Sequence, residues 1–87
     1  MPVVIDFWAP QCEPCKIISP IFEEFSNSAD FELIGFYKVD TDAQEEIAQE
    51  VGIRAMPTFA VFIKGAKIDE VTGAHPPSLE KMLQASA

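Results

Sequence analysis

The sequence predicts an α/β fold with elements in the order β-α-β-α-β-β-α: one mixed four-stranded sheet with helices on both faces. Three observations carry this expectation. Residues Val3 to Trp8 form an apolar run broken only by Asp6, the pattern of a central strand covered on both sides. After Cys12 the spacing turns helical, with Ile18, Ile21, Phe22 and Phe25 on one face. Finally, two strand-like runs flank Lys64-Gly65, a two-residue hairpin loop.

Each element has its own local reason. In the first helix, Cys12 to Ser26, Pro14 fits the first turn because the N–H it lacks is unpaired there in any helix. Pro20 falls inside the helix and predicts a kink. Turn-prone Ser26-Asn27-Ser28 separates this helix from a strand over Leu33 to Val39. A strand, a helix and a second strand imply a right-handed parallel crossover. Thr41-Asp42-Ala43-Gln44 reads as a capping box that opens a short helix with Ala43, Ile47, Ala48 and Val51 as its apolar face. Gly52 ends that helix. The strands Thr58 to Ile63 and Ala66 to Thr72 form the hairpin, and Ser78 caps a last helix that buries Leu79, Met82 and Leu83.

At 87 residues the chain fits a single domain, expected over 1–87. The content, 48% hydrophobic and 23% charged, is that of a folded globule. The formal charge of −8 argues against nucleic acid and anionic membrane surfaces as partners, since both call for a basic patch. The acidic residues are scattered and read as a solvated surface. Met1-Pro2 leads directly into Val3-Val4-Ile5 without a basic leader. The expected location is therefore cytoplasmic, and there a close cysteine pair is more often catalytic than structural.

The chemistry centres on Cys12-Glu13-Pro14-Cys15. At a helix start, free backbone N–H groups and the positive end of the helix dipole stabilise a thiolate on the first cysteine, which makes it nucleophilic near neutral pH. The second, one turn on, is placed to attack the resulting mixed disulfide. Two other readings compete: half a zinc site with His75 as a further ligand, or buried cysteines that merely fill space. Asp6, embedded in an apolar strand, should have a raised proton affinity and is a candidate acceptor for the Cys15 proton. The alternative is a structural carboxylate satisfied by a lysine or a water. Met56-Pro57 precedes an apolar strand and allows a cis bond in a tight turn, although residue statistics favour trans. Trp8 is expected to be half-buried beside the cysteines or, equally, to be a plain core aromatic.

Together, the strand with Asp6, Phe7-Trp8-Ala9, Cys-x-Pro-Cys-Lys, Pro20, Met56-Pro57-Thr58 and Gly73-Ala74 resemble the thioredoxin family from about Val3 to Ala87. The stretches Phe36 to Asp40 and Ile47 to Phe59 look closest to its eukaryotic cytosolic members. The resemblance implies a minimal thioredoxin fold and a protein-disulfide reductase in which Cys12 attacks and Cys15 resolves. It further implies a cis Pro57 against the cysteines, and substrate peptides lying across Trp8, Met56, Pro57 and Gly73. No bound cofactor is implied; NADPH enters indirectly through a partner thioredoxin reductase, and the other partners are disulfide-containing proteins.

Three departures from the family pattern carry expectations of their own. Gln11 and Glu13 replace the usual Trp and Gly around Cys12 and, with Pro14, should tune the site. The Glu13 carboxylate disfavours a neighbouring thiolate by up to about one pKa unit, so the disulfide should be harder to reduce. The family's first strand and helix have no match, so the strand over 33–39 should be a bare edge showing Ile34, Phe36 and Val39, open to a homodimer. The lysine that partners the buried aspartate in bacterial members has no clear counterpart: Phe36 takes its place, and Lys38 is not expected to pair with Asp6. A redox-silent module that binds peptides over Met56-Pro57 is the alternative function.

Overall fold

The computed structural model describes residues 1–87. Strand β1 is Val3–Trp8, helix α1 Glu13–Ser26, β2 Gly35–Asp40, α2 Glu45–Val51, β3 Thr58–Ile63, β4 Ala66–Thr72 and α3 Pro76–Ser86. The sheet order is β2-β1-β3-β4, with β1 parallel to β2 and the other pairs antiparallel. The expected architecture is the observed one.

Side chains alternate across the sheet, so Val4 and Asp6 of β1 share a face with their register partners Val61 and Phe59 of β3. On that face Val4, Phe59 and Val61 meet Ile18 and Phe22 of α1 and Leu79 of α3, all of them 2% exposed or less. The Phe22 ring packs against Phe59 and, edge-on, against Phe36, with centroids 5.5 and 5.3 Å apart. Phe7 and Ala60 point to the other face and are fully buried. Helix α2 lies on that side, where the Lys67 ammonium donates to the carbonyl of Val51 at its C-terminus.

Several boundaries differ from the sequence expectation, each for a local reason. Residues 33 and 34 leave the expected strand because the chain here turns Phe31 and Ile34 into the core. A short 3-10 turn, Ala29–Phe31, presents them, with Ser28 Oγ accepting from the N–H of Asp30. The edge over 33–39 is therefore not the apolar stripe expected. Ile34 is buried ahead of β2, Phe36 packs on the core, and the exposed strand residues are Tyr37 and Lys38. The capping box does not form. Thr41 Oγ1 donates to the Trp8 carbonyl instead, and Asp40 Oδ1 accepts from the N–H groups of Asp42 and Ala43. This delays α2 to Glu45 and leaves Ala43 outside it. Helix α3 begins at Pro76 with His75 as its N-cap, two residues before Ser78, because the two prolines suit the first turn. Helix α1 continues through Pro20 as one element. The β3–β4 hairpin turns through Lys64 and Gly65, both at positive φ (53° and 81°), the conformation that a two-residue loop of this hand requires.

Candidate active site

The site lies at the end of the sheet where β1 finishes and α1 starts. Cys12 is the N-cap of α1, and its Sγ accepts a hydrogen bond from the N–H of Cys15 at 3.1 Å. One of the otherwise unpaired amides of the helix start is thus aimed at this sulfur. Cys12 is half-buried and Cys15 is 3% exposed. The two are joined in a disulfide, with Cα atoms 5.3 Å apart. Pro14 occupies the first turn, while Gln11 and Glu13 are exposed beside the pair. The Glu13 carboxylate does not stand alone: Lys16, one turn on, donates to it at 3.2 Å. The like-charge effect expected on Cys12 is correspondingly smaller.

Beneath the helix start, Asp6, Trp8 and Cys15 line one cavity of about 160 Å³ together with Lys16, Ser19 and Lys38. Asp6 is 1% exposed and its Oδ1 has no hydrogen-bond partner. Burial pushes its carboxyl up from 3.8 to about 6, opposed by the charge of Lys38. The β1–β2 register puts Lys38, rather than Phe36, directly opposite Asp6, and Phe36 opposite Val4. As expected, Lys38 and Asp6 nevertheless form no ion pair, because the ammonium donates to Ser19 Oγ at 2.5 Å and to Glu23 Oε1 at 3.1 Å. Ser19 and Glu23 went unnoticed in the sequence. Their i, i+4 spacing was the available signal, but a contact 15 to 19 residues away depends on strand register.

The Met56-Pro57 bond is cis. The ladders end at Phe7↔Thr58 and Thr58↔Thr72, so Trp8, Pro57 and Gly73 stand in a row across the same end of the sheet. The N–H of Gly73 donates to the Pro57 carbonyl at 2.8 Å, and its φ of 104° is one that a side chain would strain. Thr58 Oγ1 donates to the Ala55 carbonyl at 2.6 Å and holds the bend from behind. Met56 is half-buried, and neither its N–H nor its C=O bonds within the chain. His75, the conceivable metal ligand, hydrogen-bonds Ser78 through Nδ1 at 2.7 Å, and no three His, Cys, Asp or Glu side chains cluster to hold a metal ion. No helix is long and apolar enough to cross a membrane.

Residues 1–85 match the family model described as Thioredoxin. Among curated relatives, thioredoxin of Malassezia sympodialis is 60% identical over 78 residues, which is 90% of this chain and 74% of that protein. Thioredoxin Asp f 29 of Aspergillus fumigatus is 49% identical over 97% of this chain and 76% of its own. The crystal structure of the Malassezia sympodialis thioredoxin superposes with a TM-score of 0.94 at 56% identity, covering 97% of this chain and 73% of that one. A Plasmodium falciparum thioredoxin does so at 0.94 and 36% identity, over 99% and 82%.

Proposed function

This chain belongs to the thioredoxin family and is a thiol–disulfide oxidoreductase, and from that premise we propose how its residues divide the work. The reduced Cys12 thiolate attacks one sulfur of a protein disulfide, forming a mixed disulfide and releasing the other sulfur as a thiolate. Cys15 then passes its proton to the Asp6 carboxylate, which lines the same cavity, and attacks Cys12 Sγ. The Cys12–Cys15 disulfide forms, and the second substrate thiolate leaves. Two electrons have moved to the substrate, which takes up protons to end as a dithiol. A reductase drawing on NADPH returns the electrons; the chain binds no cofactor of its own. The observation that carries this reading is the contrast between a half-exposed, amide-capped Cys12 and a Cys15 buried over an unpartnered carboxylate.

Substrate segments lie across Trp8, Met56, Pro57 and Gly73, where the free N–H and C=O of Met56 supply the backbone pairing of an added strand. Gln11, Glu13 and Pro14 tune Cys12. The protein acts as one domain over 1–87 in the cytoplasm, in the manner of eukaryotic cytosolic thioredoxins, with a thioredoxin reductase and disulfide-containing proteins as partners. The open edge of β2 extends the proposal to pairing with a second copy; light scattering that finds only monomer at high concentration removes that part.

Reduction of insulin by dithiothreitol tests the main reading. The protein should accelerate it, Cys12→Ser should not, and Cys15→Ser should accumulate a mixed disulfide on Cys12. Equal rates with and without the protein would leave the peptide-binding alternative in its place.

A further inference from the structure

Lys38 is where a counter-ion for Asp6 belongs, and it is turned away. The two residues are in-register neighbours on adjacent strands, so their side chains rise from the same face. A buried carboxylate with an unpartnered oxygen would ordinarily capture an ammonium at that position. Here the Lys38 Nζ is held instead by two groups of α1, Ser19 Oγ and Glu23 Oε1. Four residues apart, these present their polar atoms on one side of the helix.

We propose that Ser19 and Glu23 are positioning residues that hold the Lys38 ammonium off Asp6, so that the carboxylate remains a strong enough base to take the Cys15 proton. This rests on the proposed role of Asp6 as proton acceptor.

Asp6 on one side and Ser19 with Glu23 on the other compete for one cation. A direct ion pair favours the ionised carboxylate and weakens it as a base. Glu23 opposes this by fixing where the ammonium sits. The other groups around Asp6 do not substitute for this control. From α1, Lys16 is engaged by Glu13 and Cys15 is the proton donor. From β3, the in-register neighbour is the uncharged Phe59. Lys38 is therefore the one cation near Asp6 whose position the fold can adjust, and Glu23 adjusts it. Glu23 lies on the exposed side of α1 and touches no reacting atom, so its influence runs through Lys38 alone.

The test follows the Asp6 carboxyl by its ¹³C shift against pH in the reduced protein, together with the pH dependence of mixed-disulfide resolution in single turnover. In Glu23→Gln the Asp6 midpoint should fall by about one pH unit, and in Lys38→Met it should rise. Ser19→Ala should shift it in the Glu23→Gln direction by less. In the double variant Glu23→Gln/Lys38→Met the midpoint should equal that of Lys38→Met alone, because Glu23 has nothing left to hold. The resolution profile should follow the same order. Glu23→Gln and Lys38→Met moving the midpoint the same way, or an additive double variant, would overturn the inference. A resolution profile unaltered by Asp6→Asn would instead overturn the reading of Asp6 as acceptor, while the ¹³C midpoints would still decide where Lys38 is held.

Discussion

Val4 and Asp6 stand two residues apart on the same face of β1, and neither has more than 1% of its surface exposed. Their surroundings differ completely. Val4 belongs to the apolar cluster beneath α1 and α3, whereas Asp6 opens on a cavity with one oxygen unpartnered. The first region is packed for stability. The second gives up stability, since a buried carboxylate must ionise there at about 6 rather than 3.8. One strand of six residues thus serves both purposes, and the boundary between them lies where β1 passes from beneath the body of α1 to beneath its first turn. What the contrast teaches is that the core holds the chemistry in place without sharing its surroundings.

Substitutions at graded depth sharpen this contrast. The largest effect is expected in the core, where Phe59→Ala should cost about 3–5 kcal/mol of unfolding free energy in denaturant titrations. If the regions are as separate as described, any fraction that stays folded should retain its thiol reactivity.

Asp6→Asn should act in the opposite direction. In the native protein the carboxyl binds its proton more tightly than in the unfolded chain. Stability is therefore greatest below about pH 4 and falls as pH rises through 6, by about 3 kcal/mol for a shift of this size. Above pH 7, Asp6→Asn in the oxidised protein should be about 2–3 kcal/mol more stable than the parent, and the gain should vanish near pH 4. A gain independent of pH would mean that the carboxyl is not held in the environment described.

Glu13→Gly gives the smallest effect. Its carboxylate is exposed and already paired with Lys16, so removing it should lower the Cys12 thiol titration midpoint by only a few tenths of a unit. A full unit would show that Lys16 does not screen it, and no change would show that the charge is not felt at Cys12.

Much of this was legible in the sequence, and the misses share a cause. Local pattern located the four strands and three α-helices, though not the 3-10 turn Ala29–Phe31, because burial is written locally, as in Ile18 and Phe22 or Leu79 and Leu83. The place of Cys12 and Cys15 at the start of α1 and the burial of Asp6 in β1 were legible for a related reason: reactive or charged side chains stood out against the helix start or the apolar run around them. The capping box failed because Thr41 has a better partner in the distant Trp8 carbonyl than in its own helix, and no local signal reports that bond. That Lys38 rather than Phe36 stands opposite Asp6 was not legible, because a parallel pair has no tight turn to fix its register and an offset of two residues exchanges the two on the same face; the expected lack of an ion pair held. The cis state of Pro57, against residue statistics, was implied only by the resemblance and not by Met56 or Thr58 themselves.

The central claim is that the amide-capped sulfur of Cys12 is the attacking thiolate while Cys15 is shielded. Iodoacetamide alkylation of the reduced protein across pH, with the modified residue assigned by mass spectrometry, tests it most directly. The account predicts that Cys12 is modified first, with a midpoint below the roughly 8.5 of a free cysteine, and that Cys15 stays protected until the protein unfolds. Equal modification of both residues, or a Cys12 that titrates like free cysteine, would contradict it.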